Sequence, residues 1–281
     1  MLLCLAARAR VIERIKSNDD VLGVTSVGDE LFVLLLQKCN QVAVYSVIDY
    51  QLLHYLNLPE LEPDRNSDLT SCIKRHKRLY VSDFHSNCIY GYELVSNDGM
   101  YDSSAIIEWL VPGSPCGLSV TPSCNLLVTC QQPNKLVELS ADSGQCVREI
   151  ALQEDVVNPR HGIQLTTGQY VVCCGGWFCH LHQVCMVDDD GRVICSYGGQ
   201  RGSDADQLDR PSHLAVDEEM QSVFVADFAN DRVVMLNPTL KFVRHITVRL
   251  RRPRRLYWHH TTRRLYVGQW LDEYGLVVIQ L

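Results

Sequence analysis

The chain has 281 residues, of which 46% are hydrophobic and 21% charged, and a formal net charge of -7. That length holds one large β domain or two smaller ones, and the balance of apolar and charged residues excludes a disordered chain. The acidic total excludes a protein that coats nucleic acid over its whole surface, although a local basic patch can sit within it.

The opening, MLLCLAARAR, is a poor secretory signal: its apolar run is short, no basic residue precedes it, and arginines follow at once. No stretch approaches the ~18 apolar residues of a membrane span. The 13 cysteines are odd in number and scattered from Cys4 to Cys195. A secreted disulfide scaffold is short, with an even, regular set, so these read as reduced thiols packed as small hydrophobes. A soluble, cytoplasmic protein with no membrane or DNA partner is expected.

Ala9 to Ile15, ARVIERI, has the pattern of an outer strand. A unit then recurs: VLGVTSVGDELFVLLLQ from Val21, DLTSCIKRHKRLYVSDF from Asp68 and SPCGLSVTPSCNLLVTCQQ from Ser114. It returns as NPRHGIQLTTGQYVVCCGG from Asn158, RPSHLAVDEEMQSVFVADFANDRVVML from Arg210 and RPRRLYWHHTTRRLYVGQW from Arg252. Each copy is a short apolar strand, a polar turn and a second strand, and the repeat is about 40 to 50 residues, the range of a four-stranded propeller blade. Outer strands follow in YQLLHYLNL, QCVREIAL, GRVICSYGG and KFVRHITV. Many strands are apolar on both faces, as a blade sandwiched between two others requires.

The expected fold is therefore all-β, a single six-bladed β-propeller over 1–281. Its blades lie near 19–65, 66–113, 114–154, 155–202, 203–248 and 249–281. The last unit ends at Leu281 without a fourth strand, so residues 9–15 are expected to supply it and close the ring.

The fifth unit resembles an NHL repeat. The residues that carry the likeness are Arg210 and Pro211 before the first strand, Val216 and Asp217 at its turn, Ala226 and Asp227 ending the second strand, and Asn230 and Arg232 opening the third. The second unit is similar, with Asp83 and Asn87 in matching places, and elsewhere spacing and apolar pattern carry the register. The resemblance implies an NHL/TolB-like propeller of the kind found at the C-terminal end of tripartite-motif ubiquitin ligases. No Cys/His ladder or heptad pattern like the RING, B-box and coiled coil of those ligases precedes the repeats. The implied role is a non-catalytic scaffold that holds a protein partner, such as a substrate in a ubiquitin pathway; the chain is not expected to be an enzyme or to carry a cofactor.

Four groups of residues bear on a site. CCGGWFCHLHQVC holds Cys173, Cys174, Cys179, His180, His182 and Cys185. Adjacent residues on a strand point to opposite faces, so Cys173 and Cys174 are core thiols rather than joint zinc ligands. Asp83, Asp217 and Asp227 recur at strand ends, where a short carboxylate caps turn N–H groups. His161 and His213 sit between proline and first strand in neighbouring blades, with Gly117 and Arg255 in equivalent places. HGIQL faintly resembles propeller-fold peptidylglycine amidating lyases, which would make the two histidines weak metal candidates in a metal-dependent lyase or hydrolase. No third ligand, acid or base accompanies them, so polar residues beside a solvated channel are expected.

Finally, RLRRPRRLYWHHTTRR holds seven arginines, Arg249, Arg251, Arg252, Arg254, Arg255, Arg263 and Arg264, interleaved with aromatic residues. That mixture suits phosphate contact and base stacking, and single-stranded RNA binding in post-transcriptional regulation is the alternative function. For the leading function, a partner is expected at the channel mouth and its loops, on Arg160, His161, Arg201, His213, Arg254 and Arg255.

Overall fold

The computed structural model describes residues 9–17, 19–37, 41–59, 61, 64–72, 77–97, 100–270 and 273–281. The opening residues 1–8, read above against a signal sequence, lie outside the described residues, as do Cys4 and Cys39.

Short β-branched and aliphatic runs, broken by Gly, Asp, Asn and Pro, form strands that turn back on their neighbours. The described strands build six four-stranded antiparallel sheets. Their innermost strands are Val21–Val27, Leu69–Cys72, Pro115–Val120, Pro159–Gln164, Pro211–Asp217 and Pro253–His259. Each inner strand packs on the next and the last packs on the first, so the six close into a ring. The chain is thus an all-β, six-bladed propeller. In five blades the strands follow one another in chain order. The sixth takes its outermost strand from Arg10–Ile15, which pairs antiparallel with Leu276–Gln280. The sequence foreshadowed this closure, and it leaves the final blade without a missing edge.

The core lies between blades rather than inside any one of them. Val171 and Val184 of the fourth blade pack with Leu214, Val225 and Val234 of the fifth. Ala215, Phe224 and Val233 on the other side of the fifth blade pack with Leu256, Trp258 and Val267 of the sixth. Ser222–Asp227 is therefore buried along its whole length. Each fully buried aliphatic side chain contributes about 1.5–3 kcal/mol, so the contacts between blades hold the ring together.

Three of the residues that resemble an NHL repeat, Asp227, Asn230 and Arg232, form one clamp. Asp227 accepts from Asp209 N (2.7 Å), Asn230 Nδ2 (2.8 Å) and Arg232 Nε (2.7 Å). Arg232 then donates to the carbonyls of Ser203, Asp204 and Gln207, which fixes the loop leading into the blade. Asp83 and Asp217 cap turns, accepting from His85 and Ser86 and from Glu219 and Met220.

Candidate functional site

Five of the inner strands begin with a register shift, at Val21/Gly23, Pro115/Gly117, Pro159/His161, Pro211/His213 and Pro253/Arg255. Such a bulge re-aims side chains at the strand's start. The residue after it holds one register position around the ring: Gly23, Gly117, His161, His213 and Arg255. In the second blade Asp68 holds that position, since its N–H donates to Ser82 Oγ (2.9 Å), and Ser82 stands where Ala226 faces His213. Two of the six must be glycine. A Cβ on Gly23 would lie 2.3 Å from Leu69 Cβ, and one on Gly117 2.5 Å from the Arg160 carbonyl oxygen. Removing two side chains leaves room for four large polar ones.

Those four meet across the channel and block it. Asp68 Oδ2 accepts from His213 Nε2 (3.2 Å) and Leu118 N (3.0 Å), and Oδ1 lies 3.2 Å from Arg255 Nε. His161 Nε2 donates to the Leu118 carbonyl (3.0 Å) and lies 3.8 Å from Asp68 Oδ2. Leu256 N donates to His213 Nδ1 (3.3 Å), so His213 is the neutral tautomer with its proton on Nε2. The two imidazoles stack with centroids 3.6 Å apart. Arg255 also donates to the carbonyls of Leu22 and Ser67.

Charge in this plug is confined to one pair. Burial works to raise the Asp68 carboxyl, but Arg255, His213 and His161 outweigh it and hold the group well below the usual carboxylate range. Burial lowers both histidines, each against the pull of Asp68, and His161 is further lowered by His213. Both are neutral at pH 7, while Arg255 stays charged.

Among the described residues, Asp68, His161 and His213 bring three potential metal-ligand atoms within 4.8 Å of one another. The Nε2 atoms of both histidines are already spent as donors, on Leu118 and Asp68. The Arg255 guanidinium supplies the cation that a metal would bring, and the His213 Nδ1 lone pair is taken by Leu256 N. The group serves as an ion-paired plug.

On the proximal face, where the inner strands begin, a pocket of about 320 Å³ opens over the plug. Arg65, Arg160, Arg210 and Arg254 line it together with Trp177, Phe178, Phe228 and Trp270. Arg160 and Arg254 are the bulge residues of their strands, which is why they point away from the plug. Arg254 lies over the Trp270 ring at 4.1 Å and donates to the Arg65 carbonyl. Arg160 Nη2 donates to Asn66 Oδ1 (3.3 Å), and Arg210 lies over Trp177 at 3.6 Å. The Trp177 loop is built on His182, whose Nε2 donates to the carbonyls of Gly176 (3.2 Å) and Cys179 (3.1 Å). Its Nδ1 accepts from Arg210 N (2.9 Å). That strut leaves Trp177 69% and Phe178 102% exposed. The distal opening has about 560 Å³ and is lined instead by hydroxyl-bearing side chains such as Thr25, Ser71, Ser119 and Tyr257, with His161 and His213 at its floor.

The six residues expected at the mouth therefore divide. Arg160 and Arg254 reach the proximal pocket. His161, His213 and Arg255 do not: one residue further along their strands, they turn into the channel and are buried in the plug. Arg201 stands aside, paired with Asp209 at 3.0 Å. The arginine run is also divided, since Arg249, Arg251 and Arg252 precede Pro253–His259 and Arg263 and Arg264 follow it. A seven-residue strand is roughly 20 Å long, so the two groups lie at opposite ends of the blade. Within the cysteine cluster, Cys173, Cys174 and Cys185 are buried in strands. Sequence reasoning missed Asp68, Arg65, Arg210 and the aromatic rim. One available signal was the aromatic residue directly after the second strand in SDF, ADF and GQW, at Phe84, Phe228 and Trp270.

Ring and plug together define a closed-channel six-bladed propeller with one cationic, aromatic mouth. No protein-family model matches the chain, and no curated protein sequence matches it. Solved structures match in fold. Virginiamycin B lyase from Staphylococcus aureus is similar with a TM-score of 0.60 and 12% identity, over 98% of this chain and 88% of that one. A streptogramin B lyase is similar at 0.61 and 11%, over 97% and 87%. Hydrazine synthase of Kuenenia stuttgartiensis is similar at 0.66 and 12%, over 96% and 98%. At such identity the likeness is one of fold. It nonetheless overturns the expectation that the chain is not an enzyme. That expectation treated the propeller as a non-catalytic frame, and propellers of this shape serve in a lyase and in hydrazine synthase. Among the described residues, no helix is long and apolar enough to cross a membrane.

Proposed function

We propose that the chain is a protein-interaction propeller of the NHL type that holds its partner on the proximal face. The observation that carries this reading is the Trp177–Phe178 knuckle, two large aromatic side chains held out into solvent beside Arg210 by the His182 strut. Tryptophan and arginine are the residues on which binding energy concentrates at interfaces, and a loop braced on a rigid sheet is where such anchors sit. An exposed aromatic pair next to a pocket also marks a contact surface rather than an ordinary exposed side chain. The likeness of Arg210, Pro211, Asp227, Asn230 and Arg232 to an NHL repeat supports the same role. Presenting a substrate in a ubiquitin pathway is one form of it, in a cytoplasmic setting. Arg263 and Arg264 lie at the far end of the blade from Arg249, Arg251 and Arg252, so the arginine run does not form one continuous track for RNA.

The test is to identify a partner by proximity labelling and then reconstitute the complex from purified proteins. The double variant Trp177→Ala, Phe178→Ala is expected to weaken binding at least tenfold, and His260→Ala on the distal face to leave it unchanged. Loss of binding only with the distal variant would refute the assignment.

A further inference from the structure

We infer that the proximal pocket is a phosphoryl-binding site, which takes the dianion of a phosphate monoester among Arg65, Arg160, Arg210 and Arg254. Four guanidiniums line one cavity of about 320 Å³, and among the described residues its lining includes no carboxylate. Asp209 sits behind Arg210 at 3.4 Å and is shared with Arg201.

Two donors in this wall are buried without a partner: Arg254 Nε and Arg210 Nη1. Arg254 is itself buried, and its surroundings add cations rather than an ion pair. Burial, then Arg255 and Arg160, push its guanidinium well below its ordinary value, and Asp20 and Asp64 only partly oppose them. Buried charge without a counter-charge is costly to maintain, so a protein that keeps one there has a use for it. The wall is also fixed in place. Arg210 lies over Trp177 at 3.6 Å and Arg254 over Trp270 at 4.1 Å, and beyond the bonds to Asp209 and the Arg65 carbonyl each keeps one unpartnered donor. A rigid fork of donors matches phosphate oxygens in a way that a flexible ammonium does not.

The charge count selects phosphate over carboxylate. A carboxylate brings one charge and two oxygens, whereas a phosphomonoester brings about -1.5 to -2 and three acceptor oxygens. Only the latter approaches the charge of four guanidiniums. The rest of the cavity, against Phe178 and Phe228, accommodates the carrier of the phosphate. The inference rests on the partner reading only for the source of that group, which is either a phosphorylated protein side chain or a small phosphate ester.

The test uses the full chain at constant ionic strength. Inorganic phosphate and phenyl phosphate are titrated in thermal-shift and calorimetric assays beside chloride controls. Degenerate phosphoserine peptides are compared with their unphosphorylated counterparts. Phosphate and phenyl phosphate are expected to raise Tm saturably while chloride does not, and the phosphopeptides to bind at least tenfold tighter than the unphosphorylated set. Arg210→Gln should weaken every phosphate response at least tenfold. That residue stands at the edge of the pocket, so the test does not depend on whether a substitution at buried Arg254 folds. Phosphopeptides that bind tighter than phenyl phosphate point to a protein source, and equal affinity points to a small ester; both uphold the phosphoryl site. The inference is overturned by no response to any phosphate, by an unchanged response in Arg210→Gln, or by binding of 5′-phosphorylated RNA alone. If phosphate fails while Trp177→Ala, Phe178→Ala still abolishes partner binding, only this inference falls. If phosphate binds and the double variant leaves partner affinity unchanged, only the partner reading falls.

Discussion

Asn in place of Asp68 keeps the size of the side chain and removes the one negative charge in the plug. Arg255 then remains fully buried with no counter-ion, and the new amide nitrogen can face the His213 Nε2–H, donor against donor. Breaking a buried pair by removing one partner costs about 3–5 kcal/mol, because the remaining charge stays desolvated. Leu69 N donates to Oδ1 and Leu118 N to Oδ2, so the amide can satisfy only one of these backbone donors and the lost bond adds to the electrostatic cost. At roughly 2–4 °C per kcal/mol for a domain of this size, Asp68→Asn should lower Tm by about 6–20 °C. Calorimetry and urea unfolding read this directly. The double variant Asp68→Asn, Arg255→Met removes the stranded cation and should recover much of the loss, since a buried pair replaced by apolar groups is often near neutral. A single variant within about 1 kcal/mol of the parent, or a double variant no better than the single, would refute an ion-paired plug, because such pairs couple strongly when one partner is lost.

The other predictions concern acid stability, closure and packing. The folded-state pKa values of His161 and His213 lie below the unfolded value, so the unfolded chain binds protons first and stability falls as pH drops below about 6.5. His161→Gln should remove up to about 1.4 kcal/mol per pH unit of that slope, measured as the difference between the urea titrations of variant and parent. The Asp68 value is also depressed, so its contribution is present above about pH 4 and is lost as pH falls below that. Deleting residues 1–16 removes the strand paired with Leu276–Gln280 and exposes that edge, and light scattering should show self-association. Gly117→Ala places a Cβ 2.5 Å from one backbone atom and 2.9 Å from another, and should cost about 1–3 kcal/mol in urea unfolding. An unchanged midpoint would sink that account.

Fold and site were not equally legible in the sequence. The blade count and the N-terminal closing strand followed from apolar runs and turn residues, because a strand buried on both sides must be apolar throughout and turns tolerate few residue types. The same register brought His161, His213 and Arg255 to one position. It did not show that this position faces inward while its neighbour faces the mouth, since that depends on the bulge. Asp68 escaped notice because the second blade lacks both the proline and the bulge, yet SDL stands in register with SHL of the fifth. Trp177 and Phe178 lie between cysteines and histidines that drew attention to metal chemistry. Their exposure depends on His182, which reaches around the loop to hold two carbonyls and the Arg210 amide, a contact that no local pattern encodes.

The plug determines how the two ends of the channel relate. The proximal and distal cavities share no lining residue, and Asp68 and Arg255 lie between them, so nothing threads the ring while the pair is intact. Within the plug Asp68 and Arg255 cancel and the histidines are neutral, so it projects little net charge toward either mouth. The potential at the proximal pocket is then set by its own four arginines, in a chain whose formal charge is -7. A cationic recess in an acidic protein attracts anions while the surrounding surface repels them, which favours a group that presents its charge at a tip. A closed floor adds depth selection, because a ligand must end in the pocket rather than pass through it. Plug and mouth thus act as one device: the first makes the cavity blind, and the second gives it a sign.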